Sequence, residues 1–252
     1  MAHILGFILA DGCIVKGSYK GYSDSLKFGV QKGDIDIIKK IKHELDSEHT
    51  ISVVKNAVYL SITSQRLVDN LKILGISYRK SLCEKIPDIP SKYIKDFIRG
   101  IVDGDGSVSI DNNGYPNLSV CGGEEVITFI RDYFLSNFDI YSKVGQRTKS
   151  KDGKHYLFSI AYRCNSAKTL LDYLYTGADL YLERKFRLAK QCLDIKIKHR
   201  KNYSIKEKQI IVQSYPSLSK DKILLMLPGR SWLAIQGQAW KLGIYKYNIN
   251  KR

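Results

Sequence analysis

A nine-residue segment that occurs twice, 94 positions apart, constrains the fold of this chain more than any other feature. Ile4-Leu-Gly-Phe-Ile-Leu-Ala-Asp-Gly12 aligns with Ile98-Arg-Gly-Ile-Val-Asp-Gly-Asp-Gly106. Two shorter matches follow in the same order, pairing Leu67–Leu71 with Leu170–Leu174 and Arg79-Lys80 with Arg184-Lys185. One match could arise by chance, but three in order indicate a duplicated unit with pseudo-twofold symmetry.

Hydrophobic periodicity predicts the same series of elements around each copy of the segment. In the first half we expect a helix at Ile4–Ala10, strands at Cys13–Tyr19 and Ser25–Gln31, a helix at Asp34–Leu45, strands at Thr50–Val54 and Val58–Thr63, and a helix from the cap Ser64 to Leu74. In the second half the series is Tyr93–Gly104, Ser107–Ile110, Asn117–Cys121, Glu124–Leu135, Ile140–Arg147, Tyr156–Tyr162, and a helix that begins at Asn165 or Ser166. Each half therefore reads helix, two strands, helix, two strands, helix.

The balance of charge favours a polyanionic partner. The 252 residues include 41 Lys and Arg against 25 Asp and Glu, a formal net charge of +16. Because solubility requires far less, nucleic acid is the expected partner, and a basic protein without such a partner is the alternative. No apolar run approaches the roughly 20 residues that cross a bilayer, and the start lacks a signal pattern. We expect no membrane partner and no secretion, but action inside a cell: the cytoplasm of a bacterium or phage-infected cell, or an organelle.

The end of the chain has a composition of its own. Residues 194–252 hold 13 Lys and Arg and 3 Asp and Glu, a charge of +10. Three short helices are predicted there, each opened by a serine cap, at Ser204–Ser214, Ser219–Leu227 and Ser231–Leu242. Pro228-Gly229 separates the last two helices. This pattern is typical of a helix-turn-helix module.

Small residues four apart mark the repeated helix. Gly6 with Ala10, and Gly100 with Gly104, leave one face of each helix nearly bare, so the two helices are expected to pack closely against each other. The glycines just past the helix ends, Gly12 and Gly106, are expected to adopt a left-handed turn into the first strand.

The acids Asp11 and Asp105 would then lie side by side at the carboxyl ends of the paired helices. The helix dipole disfavours a carboxylate there by about 0.3 to 1 kcal/mol, and a second carboxylate adds to that cost. A divalent cation removes both penalties, and oxygen ligands suit Mg²⁺, which assists phosphodiester cleavage. Two ordinary Asp-Gly turns are the alternative for either motif alone, and the repetition favours the metal site.

Both nine-residue segments resemble the LAGLIDADG signature, and the predicted elements around them are similar to the αββαββα half-domain of the LAGLIDADG homing endonucleases. The resemblance covers residues 1 to about 192. It implies that Asp11 and Asp105 are catalytic metal ligands, with Ala10 and Gly104 in the same metal site, and that Lys80 and Lys185 are the basic catalytic residues. Mg²⁺ or another divalent cation is the implied cofactor, and Ca²⁺ could replace it without supporting cleavage. One departure is the sixth motif position, Leu9 in one copy and Asp103 in the other, so Asp103 is not expected to be an essential ligand.

The expected fold is α+β, with two pseudo-symmetric αββαββα half-domains forming a DNA-binding saddle and a small all-α helix-turn-helix domain at the end. The expected boundaries are residues 1–90, 91–193 and 200–252. Alternate strand residues such as Leu26, Phe28, Val30, Val108, Ile110, Leu118 and Val120 are predicted to face the core. Polar residues on the opposite face are the predicted base contacts, and two basic residues beyond them suit phosphates. These predicted DNA contacts are Lys27, Gln31, Ser109, Asp111, Asn117, Ser119, Arg147 and Lys149.

The tail resembles the helix-turn-helix tails that accompany some homing enzymes. Its predicted DNA contacts are Arg230, Gln236, Gln238 and Lys241, whereas Trp232, Ile235 and Leu242 are predicted to pack in its core. The expected activity is site-specific cleavage of double-stranded DNA at a long target by a monomer that carries both active sites. Two alternatives stay open: a non-catalytic DNA-binding regulator, and an RNA splicing cofactor (maturase) on the same scaffold.

Overall fold

The computed structural model describes residues 1–17, 23–76, 78, 85–149, 156–197 and 203–245. The chain divides into two compact units, residues 1–197 and residues 198–252. The predicted catalytic residue Lys80 lies outside the described residues, as do the side chains of Arg147 and Lys149. None of the described helices combines the length and the apolar character needed to cross a membrane.

The first half of the larger unit has seven main elements in the predicted order. They are α1 (Ala2–Asp11), β1 (Gly12–Val15), β2 (Ser25–Gln31), α2 (Ile35–Glu44), β3 (Ile51–Val54), β4 (Ala57–Thr63) and α3 (Gln65–Ile73). The strands form an antiparallel sheet in the order β1-β2-β4-β3. Ser64 caps α3 as predicted, since its side chain accepts a hydrogen bond from the Leu67 amide.

The second half repeats this series and adds a helix. Its elements are α4 (Ile94–Asp105), β5 (Gly106–Ile110), β6 (Pro116–Gly122), α5 (Glu124–Phe138), β7 (Gly145–Lys149), β8 (Tyr156–Arg163), α6 (Cys164–Tyr175) and α7 (Glu183–Asp194). The sheet order β5-β6-β8-β7 matches that of the first half. The α+β fold with two pseudo-symmetric αββαββα halves is therefore confirmed, whereas the strand predicted from Ile140 begins only at Gly145.

Alternation of side chains explains how each sheet covers its helices. On β2 and β4 the alternate residues Leu26, Phe28 and Leu60 are fully buried and Val30 is half-buried, while the residues between them face outward. Helix α2 buries Ile38 and Ile41 on one face against this layer. One continuous apolar core extends from these residues into the second half, which makes residues 1–197 a single packed body.

The smaller unit contains three helices: α8 (Ile205–Ser214), α9 (Lys220–Met226) and α10 (Trp232–Lys241). Each begins within a residue of its predicted start. Ser204 forms a capping box with Glu207, and Ser231 accepts from the Ala234 amide, whereas Ser219 makes no capping bond through its side chain. A small core of its own holds the three helices together, formed by Ile211, Tyr215, Ile223, Leu227, Ile235 and Ala239.

Candidate metal centre and nucleic-acid interface

The two repeated helices, α1 and α4, pack backbone to backbone, as the small residues predict. A Cβ atom added to Gly6 would overlap the Phe97 carbonyl oxygen, and one added to Gly100 would overlap the His3 carbonyl oxygen and lie 2.8 Å from the Phe7 amide nitrogen. Further along, a Cβ atom on Gly104 would overlap the side chain of Ala10. Because these pairs advance in the same direction on both helices, α1 and α4 run parallel and their carboxyl ends meet.

Gly12 and Gly106 are needed for a different reason from the one predicted. Both residues have extended backbone, with φ of −75° and −86°, so the expected left-handed turn is wrong. A Cβ atom on Gly12 would lie 2.9 Å from Ile8 Cα, and one on Gly106 would lie 2.8 Å from Val102 Cα. In each repeat the glycine therefore lets the chain turn back closely over the last turn of the helix as it enters the first strand of its sheet.

Asp11 and Asp105 are the last residues of α1 and α4, and both are exposed. The Asp11 carboxylate lies beside the second motif, since a Cβ atom on Gly104 would be 3.4 Å from Asp11 Oδ2. The negative charges of both acids also raise the pKa of Lys185, against the larger effect of its burial. The paired helices thus bring the two motif acids to one exposed end of the helix pair.

This end of the helix pair suits a hard divalent cation. The described residues hold no cluster of three His, Cys, Asp or Glu side chains fit for a metal. Ala10 and Gly104 have no polar side chain, so each could add only a main-chain oxygen to the carboxylates of Asp11 and Asp105. Carboxylate, carbonyl and water oxygens are the ligands that Mg²⁺ and Ca²⁺ take. The donor set therefore fits the implied cofactor.

Lys185 is buried rather than solvated. It lies in the first turn of α7, and its Nζ donates to three main-chain carbonyl oxygens near the end of α4: Val102 at 2.8 Å, Asp103 at 2.6 Å and Gly104 at 3.1 Å. Burial lowers the pKa of Lys185 to about 8, against the opposing effect of nearby acids that include Asp103. The ammonium group thus donates to carbonyl oxygens of the last turn of α4 and fixes the turn that carries Asp105.

Asp103, at the sixth motif position, belongs to the core. Its side chain accepts hydrogen bonds from Tyr175 Oη at 2.7 Å and from the Leu182 amide at 2.9 Å, and Asp103 Oδ2 lies 2.7 Å from His3 Nε2 of the first motif helix. Only 1% of Asp103 is exposed. The carboxylate therefore connects both motif helices to the start of α7 and is not at the exposed end with the other two acids.

The segment before and within the first turn of α7 connects the two halves. Arg184 Nε donates to both carboxylate oxygens of Asp34, just ahead of α2, at 2.9 and 3.1 Å. Lys40 of α2 places its Nζ 4.4 Å from the ring centroid of Tyr181. Helix α7 was not predicted from the sequence, although Arg184-Lys185 was identified as part of the repeat. Its polar and basic residues obscure the apolar positions Ala189 and Cys192 that pack in the core.

Solved structures with similar architecture decide what this arrangement is. LAGLIDADG meganuclease I-AabMI, bound to uncleaved DNA, superposes with a TM-score of 0.53 at 14% identity over 75% of this chain and 88% of that chain. Homing endonuclease I-GzeII, in complex with its DNA target, gives 0.52 at 11% identity over 91% and 97%. A variant of I-SmaMI gives 0.52 at 11% identity over 76% and 89%. The chain has the LAGLIDADG homing endonuclease fold. No protein-family model matches the sequence, and no curated protein does.

In the first half of this LAGLIDADG fold, the outward sheet face is lined by polar side chains from β2 and β4. Lys27 is half-buried with its Nζ 4.6 Å from the Tyr59 ring centroid, and Gln31 is exposed at the strand end. Ser25 and Thr63 face each other across the two strands, with their hydroxyl oxygens 2.9 Å apart. Tyr59 and Thr63 were not predicted as residues of this face. The buried residues of β4 alternate with them, and this alternation would have assigned both to the outward face.

The second half of the fold presents Ser109, Asn117 and Ser119 on the same kind of face. Asn117 Nδ2 donates to Ser109 Oγ at 3.3 Å, and Asn117 pairs across the sheet with Arg163, an exposed residue that sequence analysis missed. Asp111 lies just beyond β5, where its Oδ1 accepts the amides of residues 113 and 115 at 2.9 Å and closes the hairpin turn.

Two core predictions, one in each unit, were wrong because the residues lie at element ends. Ile110, the last residue of β5, is 39% exposed, and Leu242, the residue after α10, is 36% exposed. Ile235 is fully buried as predicted, and Trp232 stacks on Tyr215 with ring centroids 5.6 Å apart. The last residue of an element has neighbours on one side only, so periodicity overestimates its burial.

Among the predicted tail contacts, Arg230 has an internal partner. Its guanidinium donates to both carboxylate oxygens of Glu207 at 2.7 and 3.0 Å and lies over the Tyr203 ring at 4.1 Å. The ion pair contributes to holding the pKa of Glu207 at about 2. Arg230 thus ties the turn before α10 to the start of α8. Gln236 and Lys241 are exposed, and Gln238 is half-buried.

Proposed function

We propose that the protein is a site-specific endonuclease that hydrolyses phosphodiester bonds of double-stranded DNA with a divalent cation at Asp11 and Asp105. One observation carries the proposal: two parallel helices, in contact through glycine, deliver both motif acids to one exposed end. Exposed carboxylates at helix carboxyl ends are electrostatically unfavourable, so a structural role would not account for both of them.

Different residues of this chain would bind the cation and position its ligands. Asp11 and Asp105 would hold the cation, with main-chain oxygens of Ala10 and Gly104 beside them. A bound Mg²⁺ supplies activation of water and neutralisation of the leaving oxygen. Lys185 positions Asp105, because its ammonium group holds the last turn of α4 in place. Lys80 is proposed as the matching basic residue of the first half.

The two outward sheet faces are the proposed recognition surface. Lys27, Gln31, Ser109, Asn117 and Ser119 would contact base edges in the major groove, as β-ribbon readers do. Arg163 extends this surface with a group that binds guanine or phosphate. The two sheets would cover a long target, and we propose that the protein acts inside the cell.

Cut mapping tests the proposal directly. Purified protein is incubated with a library of duplexes drawn from the DNA that flanks its gene, with Mg²⁺ or with Ca²⁺, and the products are sequenced at both strands. Double-strand cuts at one sequence in Mg²⁺, with binding but no cuts in Ca²⁺, are expected. Specific binding without cuts in Mg²⁺ would favour the regulator instead, and retention of RNA in place of duplex would favour the splicing cofactor.

A single chain should suffice for this activity, because the duplication already supplies both acids. Sedimentation at micromolar concentration should report a species of about 28.7 kDa. The same mass should be found together with one DNA duplex in the complex. A stable dimer, free or on DNA, would contradict the proposal that each chain carries a complete pair of sites.

A further inference from the structure

Helix α10 presents a large apolar surface to the outside of the smaller unit. Residues of a helix advance by about 100° each, so Leu233, Gln236, Gly237 and Trp240 lie on one face. Leu233 is 80% exposed and Trp240 is 74% exposed. The core of this unit takes Ile235 and other residues on the opposite face. Two large apolar side chains are thus left outside a unit that has already packed its own core.

Gly237 lies between them and leaves the helix backbone bare. A Cβ atom at this position would meet nothing within 4 Å, and its φ is not in the left-handed region, so no turn or internal packing requires glycine here. Glycine in a helix interior is less favourable than alanine. A ligand that approaches the helix backbone closely between Leu233 and Trp240 would account for it.

The part of the chain that carries this face is basic in composition. Lys241 lies at its edge, and residues 194–252 carry 13 Lys and Arg against 3 Asp and Glu. A protein partner would be matched by the apolar face alone, but this charge suits a polyanion. The major groove of DNA admits a helix, and thymine displays a C5-methyl group there that apolar side chains contact. Duplex DNA therefore satisfies the charge and the apolar face together.

We propose that this face of α10 reads thymine C5-methyl groups in the major groove, with Trp240 and Leu233 as the specificity-determining contacts and Gly237 allowing the close approach. The inference rests on the proposed DNA-binding function and goes beyond it. The smaller unit then discriminates sequence through apolar contact, while Lys241 at the edge of the face contacts a phosphate. Gln236, on the same face, would contact an adjacent base edge.

Replacing thymine by deoxyuridine, which lacks only the methyl group, isolates this contact. A random duplex library is selected on the full chain in Ca²⁺, and one retained duplex is remade with deoxyuridine in successive three-base blocks. Affinities are measured for the wild-type chain, Trp240→Ala and Leu225→Ala. Leu225 is the matched control, because it is 81% exposed on α9 and outside the proposed face.

The wild-type chain and Leu225→Ala should lose about fourfold in affinity per methyl group removed at one block. Trp240→Ala should bind the thymine duplex more weakly and lose nothing further at that block. If Trp240→Ala keeps the wild-type ratio at every block, the inference is overturned while DNA binding stands. If the full chain retains no duplex from the library, the proposed function fails together with the inference.

Discussion

The first motif helix ends in Leu9-Ala-Asp and the second in Asp103-Gly-Asp, and the structure treats the two sixth positions in opposite ways. Leu9 is buried among apolar side chains, whereas Asp103 is equally buried but has Tyr175, the Leu182 amide and His3 as partners. The copies agree instead at the glycine contacts and at the terminal acids. The core has therefore diverged between the repeats, while the exposed acids, which packing does not explain, are present in both.

The largest effect is expected where the two repeats are equivalent, at the helix contact. Gly6→Ala and Gly100→Ala should each lower the free energy of unfolding by about 3 kcal/mol, because the new methyl group overlaps a main-chain carbonyl of the other helix. Urea unfolding followed by circular dichroism measures this loss.

Gly33→Ala is the matched control, since a Cβ atom there meets nothing within 4 Å. It should stay within about 0.5 kcal/mol of the wild-type chain. If only one of the two motif glycines is sensitive, the helix contact is not symmetric and the equivalence of the repeats fails at this point.

The next largest loss of stability is expected at the sixth motif position, where the two repeats differ. Asp103→Leu gives the second repeat the residue of the first and should cost about 2 to 3 kcal/mol, because buried donors of Tyr175 and Leu182 lose their acceptor. The measurement is again urea unfolding, with Asp179→Leu at an exposed position as the control. A loss below about 0.5 kcal/mol for Asp103→Leu would show that the second repeat does not depend on its buried carboxylate.

A smaller effect on stability is expected at Lys185, where the second repeat receives its support from α7. Lys185→Met should cost about 1 to 2 kcal/mol because three carbonyl oxygens lose the ammonium group as a donor. Cleavage at saturating Mg²⁺ should slow by on the order of tenfold or more, since Asp105 is less well fixed. Lys190→Met, exposed on the same helix, is the control. A slower reaction with unchanged stability would assign Lys185 to the chemistry rather than to positioning.

Much of this fold can be predicted from sequence because its local patterns are strong. Strand β2 has the bounds that its alternation predicts, and the glycine spacing predicts the contact of α1 with α4. The reason for Gly12 and Gly106 was not predictable, because their close neighbours, Ile8 and Val102, become apparent only once the chain has folded back.

The residues of the site could be predicted only in part from the sequence. Repetition identifies Asp11 and Asp105, but the burial of Lys185 depends on carbonyl oxygens of a helix that lies some 80 residues earlier. Main-chain acceptors leave no residue signature, so a basic side chain on a polar helix is expected to be solvated. In the tail, the ion pair of Arg230 with Glu207 was not predicted because the two residues are 23 positions apart in the sequence.

In the proposed function, the two motif acids serve cleavage and not folding or binding. Asp11→Asn and Asp105→Asn keep the size of each side chain and remove its charge, so the measurement is DNA affinity in Ca²⁺ and strand-resolved cleavage in Mg²⁺ for each variant and the wild-type chain. We predict unchanged stability, affinity within a few-fold of wild type, and no double-strand cleavage in either variant. Full double-strand cleavage by either variant would show that the acid replaced is not required for cleavage.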